Sequence, residues 1–299
     1  MAQYDLAEKY LPVIQETYTE ELKSGRLLHT NPQVSFINAE TIKVPTIKGG
    51  GFGNHDRSVL GFNSSVSTNA WEPYKLNWDR DIEIFIDPMD IDESNTVLSM
   101  ANHINNLTKN HLIPEKDKYR FSKLYKEAVE KGATVDTEAV TAANILAKFD
   151  AAMEAMDEAS VNEGRILYVT PKTYTMLKQA EGIQRTLEVS GKANVNRLVH
   201  SLDDVEIVKV SSLRFKTAYE DQGTGENREY LPTVDAKQIN FVLVDPKAVI
   251  CEEKYSYMKL FAPGSDSRTA DKYLFQMRYY EDLFLIKDKK AGVYINAEA

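Results

Sequence analysis

The sequence predicts an α+β fold, and three observations carry that reading. Residues Tyr74 to Ile86 alternate with the two-residue period of a strand. A long amphipathic segment from Ser94 to Lys131 has the helical period, and short apolar strands interleaved with helices follow from residue 165 onward. At 299 residues the chain is long enough for about two domains and a real core.

The first element is a stripe of Leu6, Tyr10, Ile14, Tyr18 and Leu22, four residues apart on one helix face. Pro12 kinks that helix or delays its start, and the stripe docks either on its own domain or on a neighbour. After Gly25 the chain reads as extended, leading into TIKVPTI at 41–47, a short β-branched strand whose Pro45 suits an edge.

The glycine-rich stretch KGGGFGNHDRSVLGFNSSVSTNA is a flexible tip, and the alternating run follows it. Tyr74, Leu76, Trp78, Ile82, Ile84 and Ile86 fall on one face, with Arg80 as its single charge; Asn77, Asp79, Asp81 and Glu83 fall on the other. A run of about thirteen residues spans roughly 43 Å as one strand. Two strands joined by a flexible tip form a long hairpin, which is marginal in water unless a third surface covers it. Its far half is therefore predicted to project and to meet a partner. The candidate contacts between subunits are Trp71, Tyr74, Leu76, Trp78, Arg80 and Arg57, with Tyr10 and Tyr18 from the N-terminal stripe. Arg80 is predicted to pair with an acid, inside the subunit or across the contact.

The segment NWDRDIEIFIDPMDIDESN holds seven carboxylates in residues 77–95. Three lie on the solvent face of the strand, and Asp87 with Pro88 ends it. Asp90, Asp92 and Glu93 then cap a long helix, each offsetting the helix dipole by about 0.3 to 1 kcal/mol. Val97, Met100, Ile104, Leu107, Leu124, Tyr125 and Ala128 form its apolar stripe; Pro114 should bend it and Gly132 should stop it.

Thr137 reads as the N-cap of the next helix, over residues 138–159. RILYVT, VEIVKV and QINFVLVD are strands, and PKTYTMLKQAE is a helix with Pro171 in its first turn. The polar loop at 215–237 is either mobile or a contact. The tail forms two strands, Tyr273 to Ile286 and Gly292 to Asn296, turning at Asp288 to Ala291; their return to the first domain's sheet would make the second domain an insertion.

Composition excludes several functions. A net charge of −9 argues against strong phosphate binding by counterion release. No stretch approaches the roughly 18 apolar residues of a membrane span, and the acidic start MAQYDLAEKY lacks an export pattern, so the chain is expected to be cytosolic when made. The lone Cys251 reads as a buried, inert thiol. A calcium loop starting at Asp90 fails, with Asn95 at position six and Ala101 at position twelve. His103 and His111 lie eight apart with no second ligand pair. Gly49, Gly50, Gly51 and Gly53 do not fit a dinucleotide fingerprint. No catalytic, metal or cofactor site is predicted, and the chain reads as non-enzymatic. Lys116, Lys118, Arg120, Lys123 and Lys126 alternate with Glu115, Asp117 and Glu127 as a solvated helix face would, with weak contact to nucleic acid as its sharper use.

The runs AETIKVPTIKGGGFGNHDR, YKLNWDRDIEIFIDPMDIDESN, LIPEKDKYRFSKLY and RILYVTPKTYTMLK, with the closing strands, resemble the major capsid proteins of tailed bacteriophages that have the Hong Kong 97 capsid fold. The likeness is greatest to coat proteins of phages infecting Gram-positive bacteria. The resemblance implies an N-terminal arm (1–40), an extended hairpin loop (41–82), a peripheral domain with a long spine helix (83–136 and 261–299) and an axial domain (137–260). It also implies a homo-oligomer of hexamers and pentamers in an icosahedral shell around weakly contacted double-stranded DNA, with no membrane. A separate scaffolding protein and a portal would be partners, and the protein would assemble in the host cytoplasm and reside in the virion. The tip reads GNHDR where relatives often have a GDYDR-like stretch. Lys43, Lys48 and Lys75 are available for the cross-link some members form, yet no pattern marks the partner residues, so boiled particles are expected to run near 33.9 kDa. The rival readings are an encapsulin-like compartment shell and, from another class, a carboxylate-dependent metal hydrolase.

Overall fold

The computed structural model describes residues 22–28, 35–36, 40–55, 58, 61–64, 67–89, 104–161, 164–180, 189–190, 194–195, 201–223, 228–265 and 271–299. Tyr10, Tyr18, Arg57, Asp90, Asp92, Glu93, Val97 and Met100 lie outside these residues. The strands are β1 (Ser35–Phe36), β2 (Thr41–Lys48), β3 (Thr68–Lys75), β4 (Trp78–Ile86), then, after helix α1 (Ile113–Lys131), β5 (Thr134–Asp136). Helix α2 (Ile145–Glu158), β6 (Ile166–Val169) and α3 (Pro171–Gln179) come next. The remaining strands are β7 (Val189–Ser190), β8 (Asn194–Val195), β9 (Ser201–Leu202), β10 (Val205–Lys209), β11 (Tyr219–Gln222), β12 (Glu229–Pro232), β13 (Ile239–Val244), β14 (Val249–Phe261), β15 (Tyr273–Leu285) and β16 (Val293–Ala297).

A six-stranded mixed sheet, ordered β5-β16-β13-β6-β10-β9, forms the centre. Its inner strands ILYV and INFVLV are apolar at nearly every position because both faces are covered. Ile166, Tyr168, Val242 and Val244 point to one side, joining Phe121, Leu124 and Ala128 of α1 in one core. Leu167, Val169, Phe241 and Leu243 point to the other, against Phe149, Ala152 and Met156 of α2 and Tyr174 and Leu177 of α3. Thr170 caps α3 as its sequence predicts, its side chain accepting from the Thr173 N–H, with Pro171 in the first turn.

The second sheet, β14-β15-β4, lies along the spine helix. Phe275, Met277 and Tyr279 of β15 pack on Ile104 and Leu112, with Trp78 and Ile84 of β4 at the margin. β15 thus rejoins the sheet of the first half, whereas β16 enters the central sheet between β13 and β5. The strand β14, a partner of β15 over its whole length, carries no clean alternation and was not visible in the sequence.

Four expectations change. The single strand 74–86 is two strands in two sheets, because the chain turns at Leu76 and Asn77: β3 pairs with β2, and β4 pairs with β15. Pro114 follows a wider helical turn instead of interrupting regular α-helix. A π-helical turn at Thr108–Leu112 precedes it, the Ile113 N–H reaching back five residues to the Thr108 carbonyl. That wider register suits the site, since Pro114 brings no N–H for the carbonyl four residues before it. The helix predicted from Thr137 starts at Ile145, because Asn144 folds back: its Oδ1 accepts from the Thr141 N–H at 2.7 Å and its Nδ2 donates to the Ala139 carbonyl at 3.0 Å. The loop at 215–237 contains the hairpin β11/β12. Gly132 stops α1 as expected, left-handed at φ 67°, while the Ala133 N–H bonds the Ala128 carbonyl at 2.8 Å.

Candidate assembly interface

The flap is the antiparallel pair β2/β3, with Thr41 opposite Lys75 at its root and Lys48 opposite Thr68 at its far end. Eight paired residues give each strand a reach of about 26 Å. Beyond them the tip has local order. The Asn63 Nδ2 donates to the Asn54 carbonyl at 2.8 Å, and a Cβ at Gly53 would stand 2.7 Å from that nitrogen. His55 and Phe62 rings lie 6.0 Å apart. Phe52 and Phe62 are fully exposed at this tip, and Trp71 on β3 remains 52% exposed.

The root is the opposite case. Leu76 is 1% exposed and packs with Ile42 and Phe284. Its N–H donates to the Glu40 carbonyl at 2.8 Å, and its own carbonyl accepts from the Tyr280 hydroxyl at 2.8 Å. The Asn77 N–H donates to Asp282 Oδ2 at 2.9 Å, while Asp282 Oδ1 accepts from the Tyr119 hydroxyl at 2.7 Å. One buried carboxylate therefore ties the corner of the flap to the spine helix. Burial raises the Asp282 pKa above the usual carboxylate value, in spite of Lys123 and these donors.

Half of the helix face expected to be solvated is buried, which corrects the sequence reading. Lys116, Asp117, Arg120 and Glu127 are all buried between the second sheet, residues 22–28 and residues 212–215. Arg120 grips Glu281 of β15 with two bonds, Nε to Oε1 at 3.1 Å and Nη2 to Oε2 at 2.8 Å, and Lys116 Nζ lies 2.8 Å from Oε2. Lys116 also meets Glu253 of β14 at 2.9 Å. On the other flank Asp117 accepts from the Ser24 N–H at 3.0 Å and the Ser24 hydroxyl at 2.8 Å, and pairs with Arg214 at 3.4 Å. Burial pushes Glu281 up, but Arg120 and Lys116 bring it below its ordinary value; for Asp117 burial wins and the pKa is raised. Glu127 holds Lys131 at 2.6 Å and accepts from the Leu285 N–H at 3.3 Å.

Sequence-predicted contact residues separate into two groups. Tyr74 lies against Phe284 with ring centroids 5.2 Å apart, and its hydroxyl donates to Glu72 at 3.0 Å. Trp78 stacks on Tyr119 at 3.8 Å and meets the Tyr230 edge at 5.1 Å. Arg80 pairs with two acids of its own chain, Glu115 at 2.7 Å and Asp221 at 2.6 Å, so it fastens the β11/β12 hairpin to the spine helix. Leu76, Tyr74, Trp78 and Arg80 are thus engaged within the subunit, while Trp71 stands open. The residues that sequence reasoning missed are Ser24, Glu281 and Asp282. Their signal was present: two adjacent acids inside the apolar strand YLFQMRYYEDLFLI require buried cations or N–H donors.

Among the described residues no group of three or more His, Cys, Asp or Glu side chains is placed to hold a metal ion. Cys251 is 1% exposed, and burial pushes its thiol up to about 12, which keeps it protonated near neutral pH.

No protein-family model and no curated protein sequence matches the chain. Solved structures do. The capsid structure of cyanophage P-SCSP1u aligns over 89% of this chain and 85% of that one, at 15% identity and a TM-score of 0.61. The mature capsid of bacteriophage PhiM1 aligns over 87% and 82%, at 12% identity and 0.61. The virus-like particle from Pyrococcus furiosus aligns over 97% and 99%, at 12% identity and 0.51. The α+β capsid fold expected from the resemblance is the fold of this chain.

Proposed function

We propose that the protein is the major capsid protein of a tailed bacteriophage and assembles, without catalysis, into the icosahedral shell around a double-stranded DNA genome. One observation carries this beyond fold: a flap whose root is locked into the subunit while Phe52, Phe62 and Trp71 are held in the open. A subunit does not retain a projecting apolar finger on a rigid base unless another surface receives it. Repeated around symmetry axes, the same contact closes rings of five and six, and many weak contacts sum to a stable shell.

On this reading the arm, loop, peripheral and axial regions divide at 1–40, 41–82, 83–136 with 261–299, and 137–260. Trp71 and the tip make the contacts between subunits, while the engaged residues at the root aim them. Scaffolding protein and portal are the expected partners, and assembly takes place in the host cytoplasm. The likeness to the Pyrococcus furiosus particle supports a second reading, an encapsulin-like compartment, at a lower TM-score.

The test is negative-stain microscopy of the expressed chain, alone and with proteins encoded beside its gene, together with sequencing of any nucleic acid inside. Closed shells holding duplex DNA support the phage reading. Shells enclosing an enzyme support the compartment, and a monomer in every combination refutes both.

A further inference from the structure

We propose that a lysine corner, formed where the 3-10 turns Pro246–Ala248 and Lys287–Gly292 meet, binds the phosphodiester backbone of nucleic acid. The inference builds on the shell reading for its partner, the enclosed polymer, but its lysines lie on the two turns and not on the flap, whose root the second turn touches through the Lys287 backbone and Tyr74. The lysines first suggested for such contact, on the spine helix, are largely spent: Lys116 is buried against Glu281 and Glu253, and Lys118 Nζ donates to the Tyr230 carbonyl at 2.6 Å.

The corner is built, not merely charged. The Ile286 N–H donates to the Ala248 carbonyl at 2.9 Å, and the Asp245 N–H to the Gly292 carbonyl at 2.8 Å. Lys289 Nζ reaches the Lys247 carbonyl at 3.0 Å. The turns approach so closely that a Cβ on Gly292 would stand 2.8 Å from that of Ala248. The contact brings Lys247 to the same corner as Lys287, Lys289 and Lys290, all exposed.

None of these four ammonium groups enters an ion pair among the described residues. Two acids lie beside them in sequence, Asp245, which accepts from the Lys247 N–H at 2.9 Å, and Asp288, so four cations face two anions and the local charge stays positive. A chain of net charge −9 therefore carries a local patch of the opposite sign on a fixed scaffold. Lysines meet phosphate as mobile point charges and read no base. Binding is therefore sequence-independent, driven by counterion release, and weakened by the acidity of the rest of the chain.

The experiment uses the full chain and fluorescence anisotropy with labelled duplex DNA of about 30 base pairs and with single-stranded RNA, over about 20 to 200 mM salt. The variant K247Q/K289Q/K290Q is compared with wild type and with K172Q/K237Q/K259Q, which removes three exposed lysines elsewhere. Removing three phosphate contacts should lower the salt slope of log K by about 2.7 and weaken duplex binding at least ~10-fold near 50 mM salt, with the control unchanged. Loss in both arms makes the site general for phosphodiesters; loss for DNA alone makes it a duplex site. An unchanged slope, loss for RNA alone, or no binding by wild type near 20 mM salt would overturn the inference. Microscopy of the same preparations separates the two claims. Shells that form with unaltered DNA binding in the variant sink this inference alone, and DNA binding with no shells in any combination with proteins encoded beside the gene sinks the capsid reading alone.

Discussion

Glu281 is where the subunit's stability is most exposed to a single change. Its carboxylate, 1% exposed, takes two bonds from Arg120 and one from Lys116, both cations being buried as well. In Glu281→Gln the side chain keeps its shape, loses its charge and presents one acceptor oxygen. At about 1.5 kcal/mol per charge-assisted bond, the low end of the usual range, three bonds sum to about 4.5 kcal/mol before any are re-made. Glu253 still faces Lys116, and Asp117 still acts on Arg120, so the expected loss is about 3 kcal/mol, in the range for breaking a buried ion pair. Urea denaturation of the monomeric chain measures it. Replacing both ends, Arg120→Met with Glu281→Met, leaves fewer orphaned charges and should cost less than the sum of the single changes by at least ~1.5 kcal/mol. A Glu281→Gln loss under about 1 kcal/mol, or strict additivity, would refute the claim that this network is an interdependent buried unit.

The pH dependence follows from opposite shifts. Glu281 is lowered in the fold, so its contribution is whole above its unfolded pKa and disappears as pH falls through the lowered value; Asp117 and Asp282 are raised, so acid first protonates them in the folded state and favours it. Stability should therefore hold or rise slightly on mild acidification and fall only in stronger acid, and a melting series showing steady loss from neutral pH downward would contradict this. Tyr168→Phe removes a buried hydroxyl that has no hydrogen-bond partner among the described residues, and should be neutral or stabilising by up to about 1 kcal/mol in denaturation. Leu76→Ala should cost about 2 to 5 kcal/mol in the same assay, whereas Trp71→Ala should leave it unmoved and, on the proposed shell reading, reduce particle yield in microscopy. Arg80→Ala should free the β11/β12 hairpin, seen as faster amide exchange at 219–232, while Lys75→Ala, whose partner Glu40 lies 3.3 Å away on an exposed surface, should change nothing.

The parts of the fold legible in the sequence are those whose cause is local. Gly132 ends a helix because its backbone is left-handed, and Thr170 with Pro171 starts one through a cap that needs no distant residue. The apolar runs of β6 and β13 announce burial on both faces by themselves. Two failures are local, the late start of α2 at Asn144 and the π turn before Pro114, and the others have distant causes. A lysine and arginine face looks the same whether water or Glu281 meets it, 161 residues away from Arg120 in sequence. The turn at Leu76 interrupts an unbroken alternation because Glu40, Tyr280 and Asp282 capture its backbone. The hairpin β11/β12 hides in a polar loop since its support comes from Arg80, Lys118 and Trp78 on other elements.

The corner at Leu76 and Asn77 also separates two kinds of stiffness. Among the described residues the β2/β3 ladder ends in it, with the Leu76 N–H on the Glu40 carbonyl, and the β15/β4 ladder starts at Trp78, so no one ladder spans the corner. The resistance to bending is set by a few contacts around Asp282, Tyr280 and Glu40. If the chain assembles as proposed, one polypeptide meets neighbours at different curvatures while keeping a single folded body, as a hinge plate lets identical panels enclose a rounded volume.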